Sequence, residues 1–152
     1  MSSYVKVLGI HHLGIAPKDQ DKARDFFVQI FNLSLAREEV VTDQKTHVMM
    51  FSSESESVRE KTGSKTKLEL LRGTEPDSPI AKFLAKKGSG IHHLALKVAS
   101  LDDALSLLTE KKIKLVDTKP RVGAAGTRVI FIHPEATGGI LIELVEDLRI
   151  KD

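Results

Sequence analysis

Two histidine pairs and two isolated glutamates are the residues of this chain that could do chemistry. Gly9-Ile10-His11-His12-Leu13 recurs unchanged as Gly90-Ile91-His92-His93-Leu94. The offset, 93 − 12 = 81 residues, also aligns Asp21-Lys22-Ala23 with Asp102-Asp103-Ala104 without a gap. A second correspondence closes each half: Leu68-Glu69-Leu70 in the first and Ile142-Glu143-Leu144 in the second. A carboxylate set among apolar strand residues must be paired or take up a proton, because burial penalises the charged form. Two such carboxylates at matching repeat positions point to a common cation. Two imidazoles and two carboxylates form a borderline-to-hard donor set. It suits Co²⁺, Mn²⁺, Ni²⁺, Zn²⁺ or Fe²⁺ with water at the open positions. Side chains alternate along a strand, so one histidine of each pair faces the site. Spacing leaves open whether that is His11 or His12, and His92 or His93.

These residues are carried by a duplicated module over residues 5–73 and 88–147, with a linker helix in 74–87. Residues 5–16 and 91–98 are apolar and β-branched and predict the first strand of each half. A helix follows. Ala23, Phe26, Phe27, Ile30 and Phe31 form its stripe in the first half; Leu101, Ala104, Leu105 and Leu108 form it in the second. Ser100, with Asp103 three residues on, is a candidate N-cap. Three strands complete each half, at 33–41, 46–52 and 66–72, and at 113–117, 127–133 and 140–146. The linker helix starts at Ser78-Pro79, carries Ile80, Phe83 and Leu84 on one face, and stops at Gly88. Residues 53–65 have no apolar period and read as a long, mobile, solvated loop. The expected fold is α+β: tandem βαβββ modules forming an open curved sheet around a metal site.

Composition narrows the function. The 152 residues are 41% hydrophobic and 29% charged, a globular balance for one domain. The net charge of +2 argues against a nucleic-acid or membrane-surface partner, and no apolar run approaches the ~18 residues of a membrane span. Absence of cysteine excludes disulfides, zinc thiolates, iron–sulfur clusters and a thiol nucleophile. The N-terminal segment lacks the apolar run of a signal peptide, so a soluble, cytoplasmic chain is expected. Gly123-Ala124-Ala125-Gly126 is a flexible turn whose backbone, at Gly123 and Ala124, is a candidate to approach a ligand, against the plainer reading of a hairpin turn. No Gly-Lys-Ser/Thr follows it, so it is not a phosphate loop. Arg128 is a candidate substrate contact; Arg72, Arg121, Lys86 and Lys87 are further cations able to meet phosphates. His133-Pro134 opens a turn closed by Gly138-Gly139.

The segments GIHHLGIA, DSPIAKFLAKKGSGIHHLALKV, KPRVGAAGTRVIFIHP and GGILIELVE, with the duplicated βαβββ order, resemble the vicinal oxygen chelate superfamily, and within it the methylmalonyl-CoA epimerase family. The resemblance implies a metal site on His12, Glu69, His93 and Glu143, taking the second histidine of each pair, with Co²⁺ favoured. It implies interconversion of (2R)- and (2S)-methylmalonyl-CoA through a metal-stabilised enolate, an acyl-CoA substrate, a homodimer and a place in propionate metabolism. In a processed eukaryotic chain the compartment would be the mitochondrial matrix. Glu143 is the expected catalytic base. Where some members carry a second catalytic carboxylate on the third strand, this chain has His47, which is either the opposite proton carrier or a solvent-facing residue. The rival readings are a glyoxalase I-type isomerase (lactoylglutathione lyase) and a non-catalytic small-molecule binder of the same superfamily.

Overall fold

The structure, a computed structural model, describes residues 2–63 and 65–148. Contacts divide the chain into two compact units. One spans residues 12–92; the other joins the N-terminal segment through His11 to the chain from His93 on.

The first unit takes up β1 (Val7–Ala16) from His12 on, then α1 (Gln20–Gln29), β2 (Leu35–Val41), β3 (Thr46–Ser52) and β4 (Lys67–Gly73). β2 pairs with β3 and β3 with β4, both antiparallel, while β1 lies parallel to β4 with Gly14 opposite Glu69. A parallel neighbour requires a crossover, and α1 with β2 and β3 supplies it. Leu33, Met49, Phe51 and Leu70 form the core beneath α1, joined by Ala23 and Phe27. Leu70 therefore faces α1, and alternation turns Glu69 and Leu71 to the opposite face of β4.

α1 departs from its expected stripe. Asp19 caps it by accepting the Lys22 N–H at 3.0 Å, and Ala23 and Phe27 face the core. Phe26, Ile30 and Phe31 are 50%, 64% and 53% exposed, however. The buried residue of this helix is polar, Gln20. The helix ends at Gln29, so Ile30 and Phe31 leave the 3.6-residue period that aligned them in sequence.

Residues 53–65 are not a simple loop. They contain α2 (Glu56–Thr62), which ends at Gly63 in a left-handed conformation with its N–H on the Arg59 carbonyl. The sequence hid this helix because Arg59, Glu60 and Lys61 are exposed helix formers with no apolar stripe. α3 (Pro79–Lys87) matches its expected signals: the Ser78 hydroxyl accepts the Ala81 N–H at 3.1 Å, and Gly88 terminates it at φ 78°. The turn from β4 needs Gly73, since a Cβ there would lie 2.0 Å from the Ser78 hydroxyl oxygen.

The second unit takes up β5 (Gly90–Val98) from His93 on, then α4 (Leu101–Glu110), β6 (Arg121–Val122), β7 (Arg128–Ile132) and β8 (Ile142–Glu146). β5 and β8 are parallel, β8 and β7 antiparallel, and β7 and β6 antiparallel. α4 starts as expected, with the Ser100 hydroxyl on the Asp103 N–H at 3.1 Å. It packs Leu101, Ala104 and Leu108 against Val98, Ile130, Ile132 and Leu144. Val5 joins this core and the Ala99 N–H reaches the Lys6 carbonyl, so the start of the chain packs with its second half.

The strand expected at 113–117 is reduced to one bridge, Leu115 to Ile132. The Val116 N–H still donates to Phe131, and Lys114 accepts from His133. Pro120 offers no N–H to a ladder, and pairing with β7 resumes only at β6. The turn after His133-Pro134 closes as expected, with the Gly139 N–H on the Pro134 carbonyl at 2.7 Å.

Candidate active site

Each unit buries one histidine against one glutamate. In the first, His12 on β1 places Nε2 3.1 Å from Oε2 of Glu69 on β4. In the second, His93 on β5 places Nε2 2.9 Å from Oε2 of Glu143 on β8. All four side chains are withdrawn from water, His12 at 2%, Glu69 at 4%, His93 at 5% and Glu143 at 6% exposure. The parallel pairing that brings β1 to β4 and β5 to β8 is what sets imidazole beside carboxylate, and it recurs in both units.

The second histidine of each pair is the one that meets a glutamate. His92 instead stacks edge-on against Phe83 of α3, with ring centroids 4.9 Å apart. His11 is buried as well.

The donors fit a divalent cation. Each pair offers an imidazole nitrogen and a carboxylate oxygen, the types that borderline and hard ions take. In each pair the two atoms lie close together, 3.1 Å and 2.9 Å apart, so each pair could present both to one ion. Much of the face carrying Glu143 is apolar. Ala95, Val129 and Val145 form its floor, and Phe131 stands edge-on to His93 with centroids 5.7 Å apart.

His47 lies elsewhere. It opposes Arg72 across β3 and β4, on the face turned to α1, whereas Met50 opposes Glu69 on the other face. Its Nδ1 is 2.8 Å from Oε1 of Gln20, and its Nε2 is 2.8 Å from Oε1 of Glu38. Gln20 is fully used: its amide donates to the Leu70 and His47 carbonyls at 2.9 and 3.2 Å, and its oxygen also accepts from Arg72 at 3.2 Å. Gln20 thus ties α1 to β3 and β4. The sequence offered no sign of this, because an isolated glutamine at a helix start looks like a solvated residue.

The three candidate ligand contacts near β7 have internal partners. Arg128 is directed to α4, with Nη2 3.0 Å from Asp102 and Nη1 3.7 Å from Glu146. The hydrogen bond to Asp102, with the charges of Asp102 and Glu146, holds this guanidinium above its ordinary pKa against the opposing effect of desolvation. Gly123 and Ala124 belong to the β6–β7 hairpin turn: the Gly123 N–H meets the Thr127 carbonyl, and the Thr127 hydroxyl meets the Ala124 carbonyl at 2.9 Å. A Cβ on Gly123 would sit 2.7 Å from Val129, so packing alone demands glycine there. Arg121 is likewise occupied, by Asp117 at 2.8 Å.

Comparison with known proteins places this architecture. Residues 11–131 match the Glyoxalase/Bleomycin resistance protein/Dioxygenase superfamily. The mitochondrial methylmalonyl-CoA epimerase of Mus musculus is 35% identical over 145 residues, 94% of this chain and 76% of that protein. Among solved structures, methylmalonyl-CoA epimerase from Mycobacterium tuberculosis superimposes with a TM-score of 0.84 at 36% identity, over 96% of this chain and 92% of that one. A methylmalonyl-CoA epimerase in complex with methylmalonyl-CoA and NH4+ gives a TM-score of 0.86 at 31% identity, over 97% and 99%. The chain therefore belongs to the Glyoxalase/Bleomycin resistance protein/Dioxygenase superfamily, in its methylmalonyl-CoA epimerase branch. The α+β fold of tandem βαβββ modules expected from the repeat is the vicinal oxygen chelate fold of these relatives. Among the described residues no helix is long and apolar enough to cross a membrane.

Proposed function

We propose that this chain interconverts (2R)- and (2S)-methylmalonyl-CoA by moving the proton at C2, with His12, Glu69, His93 and Glu143 sharing one divalent cation. The observation that carries the reading is the duplication of a buried histidine–glutamate pair at equivalent strand positions. The likeness to an epimerase structure with methylmalonyl-CoA bound supports the substrate.

The C2 proton of a malonyl thioester lies between a thioester carbonyl and a carboxylate. His12, Glu69, His93 and Glu143 would hold a divalent ion whose Lewis acidity would favour loss of the C2 proton. Glu143 takes that proton. Glu143 is 6% exposed and stands opposite Phe131 across β7 and β8, where a bound substrate would keep water from the proton it takes. His12 and His93 place Nε2 beside the paired carboxylates and would serve as the nitrogen ligands of the cation. Return of a proton on the opposite face of C2 falls to Glu69 or to water. His47 is set aside in this reading, because it occupies the α1 face of β3 and is bonded to Gln20 and Glu38. Co²⁺ is the favoured ion, with Mn²⁺, Ni²⁺ and Zn²⁺ as alternatives of the same donor preference. Acyl-CoA esters are intracellular, so this reading puts the chain in the cytoplasm or, for a processed eukaryotic form, in the mitochondrial matrix.

The experiment is deuterium incorporation at C2 of methylmalonyl-CoA in heavy water, before and after chelation. Turnover of the methylglyoxal–glutathione adduct in place of methylmalonyl-CoA would support the glyoxalase I-type reading instead.

A further inference from the structure

Phe131 differs from every other apolar residue around Glu143. On the face that carries Glu143, Ala95, Val129 and Val145 are each 0% exposed and have no surface left to offer a ligand. Phe131 is only partly buried, packed against that floor. It lies directly opposite Glu143 across the antiparallel β7–β8 pair, so both side chains rise from the same face with Cβ atoms about 5 Å apart. Its ring is also braced edge-on by His93, at 86° and 5.7 Å between centroids. In the first unit the residue opposite Glu69 is Met50, which is 3% exposed and already covered. Among the described residues of the second unit, the aromatic ring of Phe131 is thus the open apolar wall beside the carboxylate.

We infer that Phe131 sets the size of the alkyl group accepted at C2 of the malonyl thioester. The inference rests on the epimerase reading and on Glu143 as the group that meets the C2 proton. A carboxylate that reaches the C2 hydrogen must stand beside the other substituents of that carbon. The thioester and carboxylate of the substrate are polar and are drawn to the cation; the alkyl group is the one substituent that gains from an apolar wall. A ring held by His93 on one side and a wholly buried floor beneath has little room to yield, so an added methylene meets resistance rather than adaptation.

The test compares C2 deuterium incorporation into ethylmalonyl-CoA and methylmalonyl-CoA, as a ratio of kcat/KM, for the cation-loaded wild type, Phe131→Leu and Phe131→Trp. A ratio cancels any general loss of active enzyme, and the two variants move the wall in opposite directions. Phe131→Leu is expected to raise the ethyl-to-methyl ratio about tenfold, and Phe131→Trp to lower it about tenfold, the scale of one methylene in an apolar pocket. Unchanged ratios in both variants, with an active wild type, overturn the role of Phe131 and leave the epimerase reading standing. A wild type that exchanges neither substrate removes the epimerase reading, and this inference with it.

Discussion

The two units keep the same histidine–glutamate pair and surround it differently. In the unit of residues 12–92, α1 buries a glutamine at its first turn and leaves Phe26, Ile30 and Phe31 exposed. In the other, α4 buries Leu101, Ala104, Leu107 and Leu108. The helix start is tied to the last strand by unlike chemistry. Gln20 donates to the Leu70 carbonyl in the first unit, while Glu146 accepts the Leu101 N–H at 2.6 Å in the second. Beside the glutamate stands a covered methionine in one unit and a half-open phenylalanine in the other. What the repeat preserves is the donor set and the parallel strand pair that aligns it. The surroundings differ, and the proposed reaction gives the two glutamates unequal work.

That inequality is open to direct attack. Glu143→Gln should cut C2 exchange at least ~10²-fold, the usual lower scale for losing a general base, with the fold intact by circular dichroism. The amide keeps an oxygen for the cation but cannot accept a proton. Glu69→Gln should cost about tenfold or less while retaining bound metal, measured by elemental analysis. Equal losses in the two variants would mean that the carboxylates share the proton chemistry.

A smaller contrast lies within α1. Phe27→Ala should destabilise by about 2 kcal/mol in urea unfolding, since Phe27 packs on Leu33, Met49, Phe51 and Leu70. Phe26→Ser should change stability by no more than about 0.5 kcal/mol, as for an exposed site. The smallest effect on activity is expected at His47. His47→Ala should leave C2 exchange and epimer conversion near wild type while lowering stability by about 1 kcal/mol, for the lost bonds to Gln20 and Glu38. Loss of conversion with retained exchange of one epimer would instead restore His47 as an opposite-face proton carrier.

Much of this was legible in the residues themselves. The identical pentapeptides marked the repeat, and the glutamates between leucines and isoleucines marked the buried carboxylates. The caps Ser78 and Ser100 marked two helix starts. What escaped has physical reasons. α2 has no apolar face for periodicity to detect. The residues 113–117 alternate like a strand, but their pairing is reduced to the Leu115–Ile132 bridge, and Arg121 donates to Asp117 beyond it. Which face His47 takes depends on the β3–β4 register, which no local pattern encodes. Arg128 looked like a free cation until α4 brought Asp102 beside it.

In the proposed reaction a cation shared by the two histidine–glutamate pairs enables Glu143 to move the C2 proton. Its most direct test is mass-spectrometric deuterium incorporation at C2 of methylmalonyl-CoA in heavy water, with protein as purified, after chelation, and after Co²⁺ is restored. Rapid exchange that chelation abolishes and Co²⁺ returns is the predicted result. Exchange that continues undiminished in protein shown to be metal-free would contradict it.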